Sequence, residues 1–224
     1  MIGKTLRCVR DVRTIDDVEA LELFDYDELV PAKNVHDLFL ATAALHAERR
    51  ALTVLRSADP SDVEVSYTHL ELFQEITRAA NLFASLGIGA DDVVAIVSNT
   101  YGAVPPVTWG ASLAGIVSTL NCLLSPEVLV ELLTKEKARV LVCPGPSTDP
   151  DLWEKLSSII DRVPSLEHVL VIADDIDDRR CRNLRRELAR QESDKLLSGR
   201  DIGRDACAAI FHTGGTTGSP KLVR

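Results

Sequence analysis

The chain has 224 residues, enough for one domain or two small ones. Hydrophobic residues make up 46% of it but aromatic ones only 4%, so a packed core has to be built from Leu, Val, Ile and Ala. The net charge of −9 excludes the broad basic surface that a nucleic-acid backbone requires.

The local charge and cysteine patterns point the same way. Arg179, Arg180, Arg182, Arg185, Arg186 and Arg190 are interleaved with Asp177, Asp178 and Glu187 and read as a solvated helix face. Cys8, Cys122, Cys143, Cys181 and Cys207 show no knuckle or redox spacing, and their odd number argues against a disulfide framework. No apolar signal core opens the chain. A reducing, cytoplasmic setting is the expectation.

Residues 1–33 are acidic and weakly patterned and read as an extended lead-in before a domain at 34–224. Asn34 is a good N-cap with Asp37 in the first turn, and Val35, Leu38, Phe39, Thr42 and Leu45 recur at helical spacing. The β-rich runs 52–55 and 63–67 flank Asp59-Pro60-Ser61-Asp62, a hairpin turn. Thr68 and Glu71 form a capping box for a helix with the stripe Leu72, Phe73, Ile76, Ala80, Phe83 and Leu86, which Gly87 stops.

From there the pattern alternates. Strands are predicted at 93–97, 116–120, 140–143, 168–172 and 206–211. Helices are predicted at 100–114, from Ser125-Pro126-Glu127 onward, and from Asp151 onward with Leu152, Trp153, Leu156, Ile159 and Ile160 on one face. Residues 174–200 read as helix plus loop. This order predicts an α/β fold, a largely parallel sheet covered by helices. The span 93–126 carries no charge, long enough to raise a membrane span. Pro105-Pro106, Asn99, Asn121, Gly102, Gly110 and Gly115 divide it instead into a buried strand, helix and strand.

The chemistry concentrates after the last strand, in Phe211-His212-Thr213-Gly214-Gly215-Thr216-Thr217-Gly218-Ser219-Pro220-Lys221. Glycines let a backbone approach a ligand, three threonine hydroxyls add donors, and Lys221 adds a cation, a set suited to a polyphosphate. It is not a Walker loop, because Ser219-Pro220 separates Gly218 from the lysine. Gly87-Ile88-Gly89 lacks the third glycine of a dinucleotide site, and Gly110 to Gly115 miss the nucleophile-elbow spacing. His46-Ala47-Glu48 has no second histidine for zinc. His36, His46, His69 and His168 read as surface or cap residues.

Position for position, this stretch resembles the AMP-binding signature of adenylate-forming enzymes, the acyl- and aryl-CoA ligases, luciferases and adenylation domains. Gly214 stands where serine is usual and Leu222 where glycine is usual. The order of Tyr67 to Gly89, Ala114 to Asn121 and Leu124 to Glu127 is similar to the family's early segments. The resemblance covers the chain from Asn34 on, and its detail is nearest to bacterial fatty-acid and acyl-CoA synthetases.

That resemblance implies the N-terminal part of the family's large domain. It implies ATP, Mg²⁺ and coenzyme A as cofactor and co-substrate, and a carboxylic acid, a fatty acid first, as substrate. Thr213, Gly214, Gly215, Thr216, Thr217, Gly218 and Lys221 would bind the ATP phosphates. His212 either shapes the nucleotide or acyl pocket or packs. The family's adenine segment, acidic metal ligand and catalytic lysine follow the loop, so no metal ligand or catalytic residue is expected before Arg224, and residues 1–224 are expected to be inactive alone. Two alternatives stay open: a chain that folds or associates without turnover, and part of an adenylation domain serving a carrier protein. Residues 219–224 are expected to be ordered only if another chain pairs with them, and the edge of strand 206–211 to invite a homodimer.

Overall fold

In a computed structural model, the structure describes residues 12–213 and 221–223. The lead-in, read as extended, carries two short helices, α1 (Ile15–Glu22) and α2 (Tyr26–Leu29), neither with a buried residue. Thr14 and Asp17 make a full capping box at α1; the pair is four residues' worth of local signal that the acidic composition obscured. Asp25 caps α2 by accepting the Asp27 N–H at 2.8 Å.

Helix α3 (Val35–His46) starts at its Asn34 cap. Strands β1 (Arg50–Leu55) and β2 (Val63–Thr68) form the expected antiparallel hairpin. Ser61 N–H donates to Asp59 Oδ1 at 2.9 Å and closes its turn. Helix α4 (His69–Ser85) opens on the Thr68–Glu71 capping box and ends where Gly87 adopts φ +79°, a conformation an L side chain resists.

The uncharged span becomes β3 (Val93–Val97), α5 (Val104–Ala114) and β4 (Ile116–Leu120), with the two strands parallel and adjacent, as the sequence predicts. Helix α5 begins at Val104 rather than Thr100, because the intervening residues bind elsewhere. Gly102 N–H donates to Glu64 Oε1 at 2.8 Å, and Gly102 O accepts from Tyr67 Oη at 3.2 Å. Among the described residues no helix is long and apolar enough to cross a membrane.

The rest of the fold continues the alternation. Helix α6 (Pro126–Lys135) leads to β5 (Ala138–Pro144), and α7 (Pro150–Ser157), followed by a 3-10 turn, leads to β6 (His168–Ile172). Residues 174–200 hold the helix α8 (Leu184–Ala189) and also a short strand, β7 (Cys181–Asn183), absent from the sequence reading. Three residues with a central arginine give neither alternation nor an apolar run. The last strands are β8 (Ala209–His212), later than the predicted 206–211, and β9 (Leu222–Val223).

The main sheet has the order β7-β6-β5-β3-β4-β8-β9, parallel except for β8–β9. Alternate residues of each strand face opposite layers. Val94, Ile96, Val117, Val140 and Val142 pack with α4, α5 and α8. Val93, Ala95, Val97, Ile116 and Leu141 pack with α6 and α7. Helices α4 and α5 touch closely enough that a Cβ on Gly110 would collide with Ala79 and lie 2.8 Å from the Ala80 backbone nitrogen. Chain direction splits at β3, with β4 on one flank and β5 on the other. The loops leaving β3, β4 and β5 therefore meet outside one edge of the sheet, where open α/β folds hold ligands.

Candidate functional site

Strand β8 lies beside β4, with Val117 opposite Ala209 and Ser118 opposite Ile210. Its far end turns back on itself. Phe211 pairs with Val223 and His212 with Leu222 in an antiparallel ribbon. Thr213 N–H donates to Lys221 O at 2.9 Å, and Lys221 N–H donates to Thr213 Oγ1 at 3.3 Å. Thr213 and Lys221, which flank the predicted phosphate loop in sequence, are thus bonded to each other.

The remaining predicted phosphate ligands, Gly214, Gly215, Thr216, Thr217 and Gly218, lie outside the described residues, as do Ser219, Pro220 and Arg224. The position beside Phe211 and His212, expected to be an open edge, is filled by the chain's own Leu222–Val223. Thr213 accepts a bond from Lys221 yet keeps its own hydroxyl proton to donate. Lys221 is exposed.

His212 has a defined place. Its Nε2 accepts the Asn121 N–H at 3.2 Å, tying β8 to the loop that leaves β4. A ring nitrogen that accepts is unprotonated, so the neutral imidazole carries its proton on Nδ1. Nδ1 is buried and has no hydrogen-bond partner among the described residues.

The loop after β4 is held from its other sides too. Lys155 Nζ, on α7, donates to Cys122 O at 2.8 Å and Leu124 O at 3.3 Å. Cys122 Sγ lies 3.4 Å from Asn99 Oδ1. Asp149, the N-cap of α7, accepts from Leu152 N–H, from Asn99 Nδ2 at 2.9 Å and from Tyr101 Oη at 3.1 Å. Burial, and then the Asp149 carboxylate, raise the Tyr101 phenol above its ordinary range. These groups border a cavity of about 190 Å³ lined by Asn99, Cys122, Leu123, Asp149, Asp151, Leu152 and Lys155.

The sequence gives these residues separate readings, Asn99 as a break in the uncharged span and Asp151 and Leu152 as the start of a helix, and nothing in it draws Asn99, Cys122, Asp149 and Lys155 to one place. Other titratable groups serve the frame. Burial, then the carboxylates of Glu75, Glu64 and Glu71, push Tyr67 up to about 12. Burial raises the Cys143 thiol, as expected of an inert core cysteine. His36 is half-buried against Phe73, with ring centroids 5.2 Å apart, and burial lowers it.

The hairpin base offers a hydroxyl and a lysine at the mouth of the loop, which suits a phosphate. Among the described residues no group of three His, Cys, Asp or Glu side chains converges as a metal cage would require.

A mostly parallel sheet wrapped by helices, with β8 paired to β9 at its carboxyl end, defines an open α/β architecture. The chain belongs to the AMP-binding enzyme family, which it matches over residues 39–224. It is 31% identical over 213 residues to a marinolic acid–CoA ligase of a Pseudoalteromonas species, covering 95% of this chain and 32% of that protein. It is 30% identical over 173 residues to a crotonobetaine/carnitine–CoA ligase of Escherichia coli, covering 76% and 32%.

Among solved structures, an anthranilate–CoA ligase in complex with anthranoyl-AMP superposes with a TM-score of 0.72 at 21% identity, over 89% of this chain and 36% of that one. The N-terminal domain of FACL13 from Mycobacterium tuberculosis gives 0.68 at 22%, over 86% and 44%. These two likenesses establish the fold. The chain spans about a third of the length of the two ligases above.

Proposed function

We propose that this chain forms the phosphate-binding part of an ATP-dependent ligase that joins a carboxylic acid to coenzyme A. The observation that carries the reading is the closure of the chain between Thr213 and Lys221, the two residues that bracket the sequence Gly214 to Gly218, on a chain of the AMP-binding family. In the first step a carboxylate oxygen attacks the α-phosphorus of ATP, the bond to the β-phosphate oxygen breaks, and pyrophosphate leaves. In the second, the thiol of coenzyme A attacks the acyl carbon, loses its proton and displaces AMP.

No protein nucleophile is needed, because the acid is already anionic. What the first step demands is neutralisation of charge where two anions meet and where the leaving group gains charge. Thr213, Thr216 and Thr217 supply hydroxyl donors, Gly214, Gly215 and Gly218 let backbone N–H groups close in, and Lys221 supplies a cation. Mg²⁺, when bound with ATP, would add charge at the phosphates.

A fatty acid is the first acid to try, and the acceptor could be distinguished from a carrier protein by supplying each in turn. Turnover is expected only when the chain carries the remaining length of its relatives. Self-association through the β8–β9 ribbon, where Phe211 of β8 and Val223 of β9 are 59% and 50% exposed, belongs to the same proposal, and sedimentation at rising concentration tests it.

ATP–pyrophosphate exchange tests the assignment in a protein of the relatives' full length. Losing one hydrogen bond to a charged group costs roughly 1.5–3 kcal/mol. Thr216→Ala and Lys221→Ala should therefore each slow exchange by roughly 10- to 100-fold. Unchanged rates in both would sink the reading. Acyl-CoA made by residues 1–224 alone, with ATP, Mg²⁺, fatty acid and coenzyme A, would overturn the requirement for further sequence.

A further inference from the structure

We infer that His212 is a positioning residue that makes the phosphate-loop hairpin and the loop following β4 move as one unit. The inference rests on the phosphate-binding reading of the hairpin. Its geometric basis is independent of that reading. His212 is the last residue of β8 and sits directly before Thr213, which is bonded to Lys221 across the hairpin base. Its imidazole leaves the strand sideways and receives the Asn121 backbone N–H on Nε2. Beyond Leu120 the ladder between β4 and β8 has already ended, since its last paired residues are Ser118 and Ile210. The side chain therefore replaces the backbone pairing at the point where both strands run out into loops.

The loop it grips is otherwise fixed from the opposite side. Lys155 holds the carbonyls of Cys122 and Leu124, and Asn121 Oδ1 accepts from Leu123 N–H at 2.9 Å inside the loop. Leu123 is 85% exposed at its tip. A displacement of the hairpin base passes through one ring to Asn121 and from there to Leu123 and the cavity wall. A link of this kind needs an acceptor at the Nε2 position and little else. Glutamine, whose side-chain carbonyl reaches a similar distance, preserves it, whereas phenylalanine keeps the ring's bulk and removes the acceptor.

Backbone NMR on the ¹⁵N-labelled chain, residues 1–224, tests this in two parts. In the wild type, Nε2 of His212 should resonate as an unprotonated acceptor and Nδ1 as protonated. The Asn121 amide should exchange with solvent at least tenfold more slowly than in His212→Phe, with His212→Gln close to wild type and the Val94 and Leu141 amides unchanged in all three. Equal Asn121 exchange in the wild type and His212→Phe overturns the tether.

Inorganic pyrophosphate is then titrated in. Shifts at Thr213 and Lys221 accompanied by shifts at Asn121 and Leu123, the latter pair lost only in His212→Phe, support the coupled movement. Shifts confined to Thr213 and Lys221 in the wild type overturn it. No shift at any residue overturns the phosphate-binding reading and the coupled movement with it, while the exchange rates still decide the tether.

Discussion

The two ends of the parallel sheet are held together by different chemistry. At the amino end one side chain ties three segments. Arg139, at the start of β5, donates to both carboxylate oxygens of Glu167 at 2.8 and 2.7 Å, to Asp92 at 2.8 Å and to Gly87 O at 2.9 Å. The Glu167 carboxylate in turn lies below its ordinary range because of that fork. At the carboxyl end the contacts are single, unforked bonds: Asn99 and Tyr101 donate to Asp149, Asn121 N–H donates to His212, and Lys155 donates to two carbonyls. A planar fork fixes angle as well as distance. Single bonds allow a loop to tilt without breaking. The amino end is thus held in angle as well as distance, and the carboxyl end, the end at which open α/β folds hold ligands, by single bonds.

That contrast can be broken by measurement. Arg139→Ala removes the fork and leaves Asp92 and Glu167 unmatched at the sheet's edge. The arginine is 27% exposed, so screening is incomplete, and unfolding stability should fall by about 2–3 kcal/mol. Urea unfolding reads it directly. A loss no larger than that of a carboxyl-end substitution would abolish the distinction.

The next effect concerns the α6–β5 junction. Glu136, the C-cap of α6, is 8% exposed. It accepts from Ser118 Oγ at 2.7 Å, and its Oε1 has no partner among the described residues. Burial pushes it from 4.5 up to about 7, against the opposing pull of the Ser118 bond. Between those values the folded chain keeps a proton that the unfolded chain releases, so stability falls as pH rises through this window. Glu136→Gln abolishes that slope. Its advantage over the wild type should be small near pH 5 and reach on the order of 2 kcal/mol near pH 8. Parallel stability profiles of the two proteins would contradict the buried-carboxyl account.

The smallest expected change is at the carboxyl end. Lys155→Met keeps the aliphatic stem and removes the bonds to Cys122 and Leu124, with an expected cost of about 1.5 kcal/mol, the low end for hydrogen bonds made by a charged group. Hydrogen exchange at Leu123 and Leu124 should nonetheless quicken, because those residues lose their anchor. Protection there equal to wild type would show that the loop needs no clamp.

The sequence was most informative where one local signal dominates. The Thr68–Glu71 box, the Ser125-Pro126 start of α6 and the apolar strands 93–97 and 168–172 are specified by neighbours a few residues apart, and each element appears where those residues place it. Helix α5 was read as starting too early because Glu64 and Tyr67, far away in the chain, claim Gly102. Strand β7 depends wholly on pairing with Val169 to Val171. The family was legible as a motif, Thr213 to Lys221, but the groups that hold the loop after β4 were not. Lys155 and Asn121 become meaningful only when crossovers bring α7 and β8 to the end of β4.

The β4–β8 pairing also sets an order of events during synthesis. Val117 has to wait for Ala209, and at the ribosome's pace of about 5–20 residues per second that delay is roughly 5–20 s. Over that interval β4, part of a span with no charged residue to discourage sticking, has no strand on its outer flank. An unpaired apolar edge invites capture by other chains. The most aggregation-prone form of this protein should therefore be a nascent one, and a chaperone that recognises extended apolar segments would act on it before the phosphate-loop hairpin has been made.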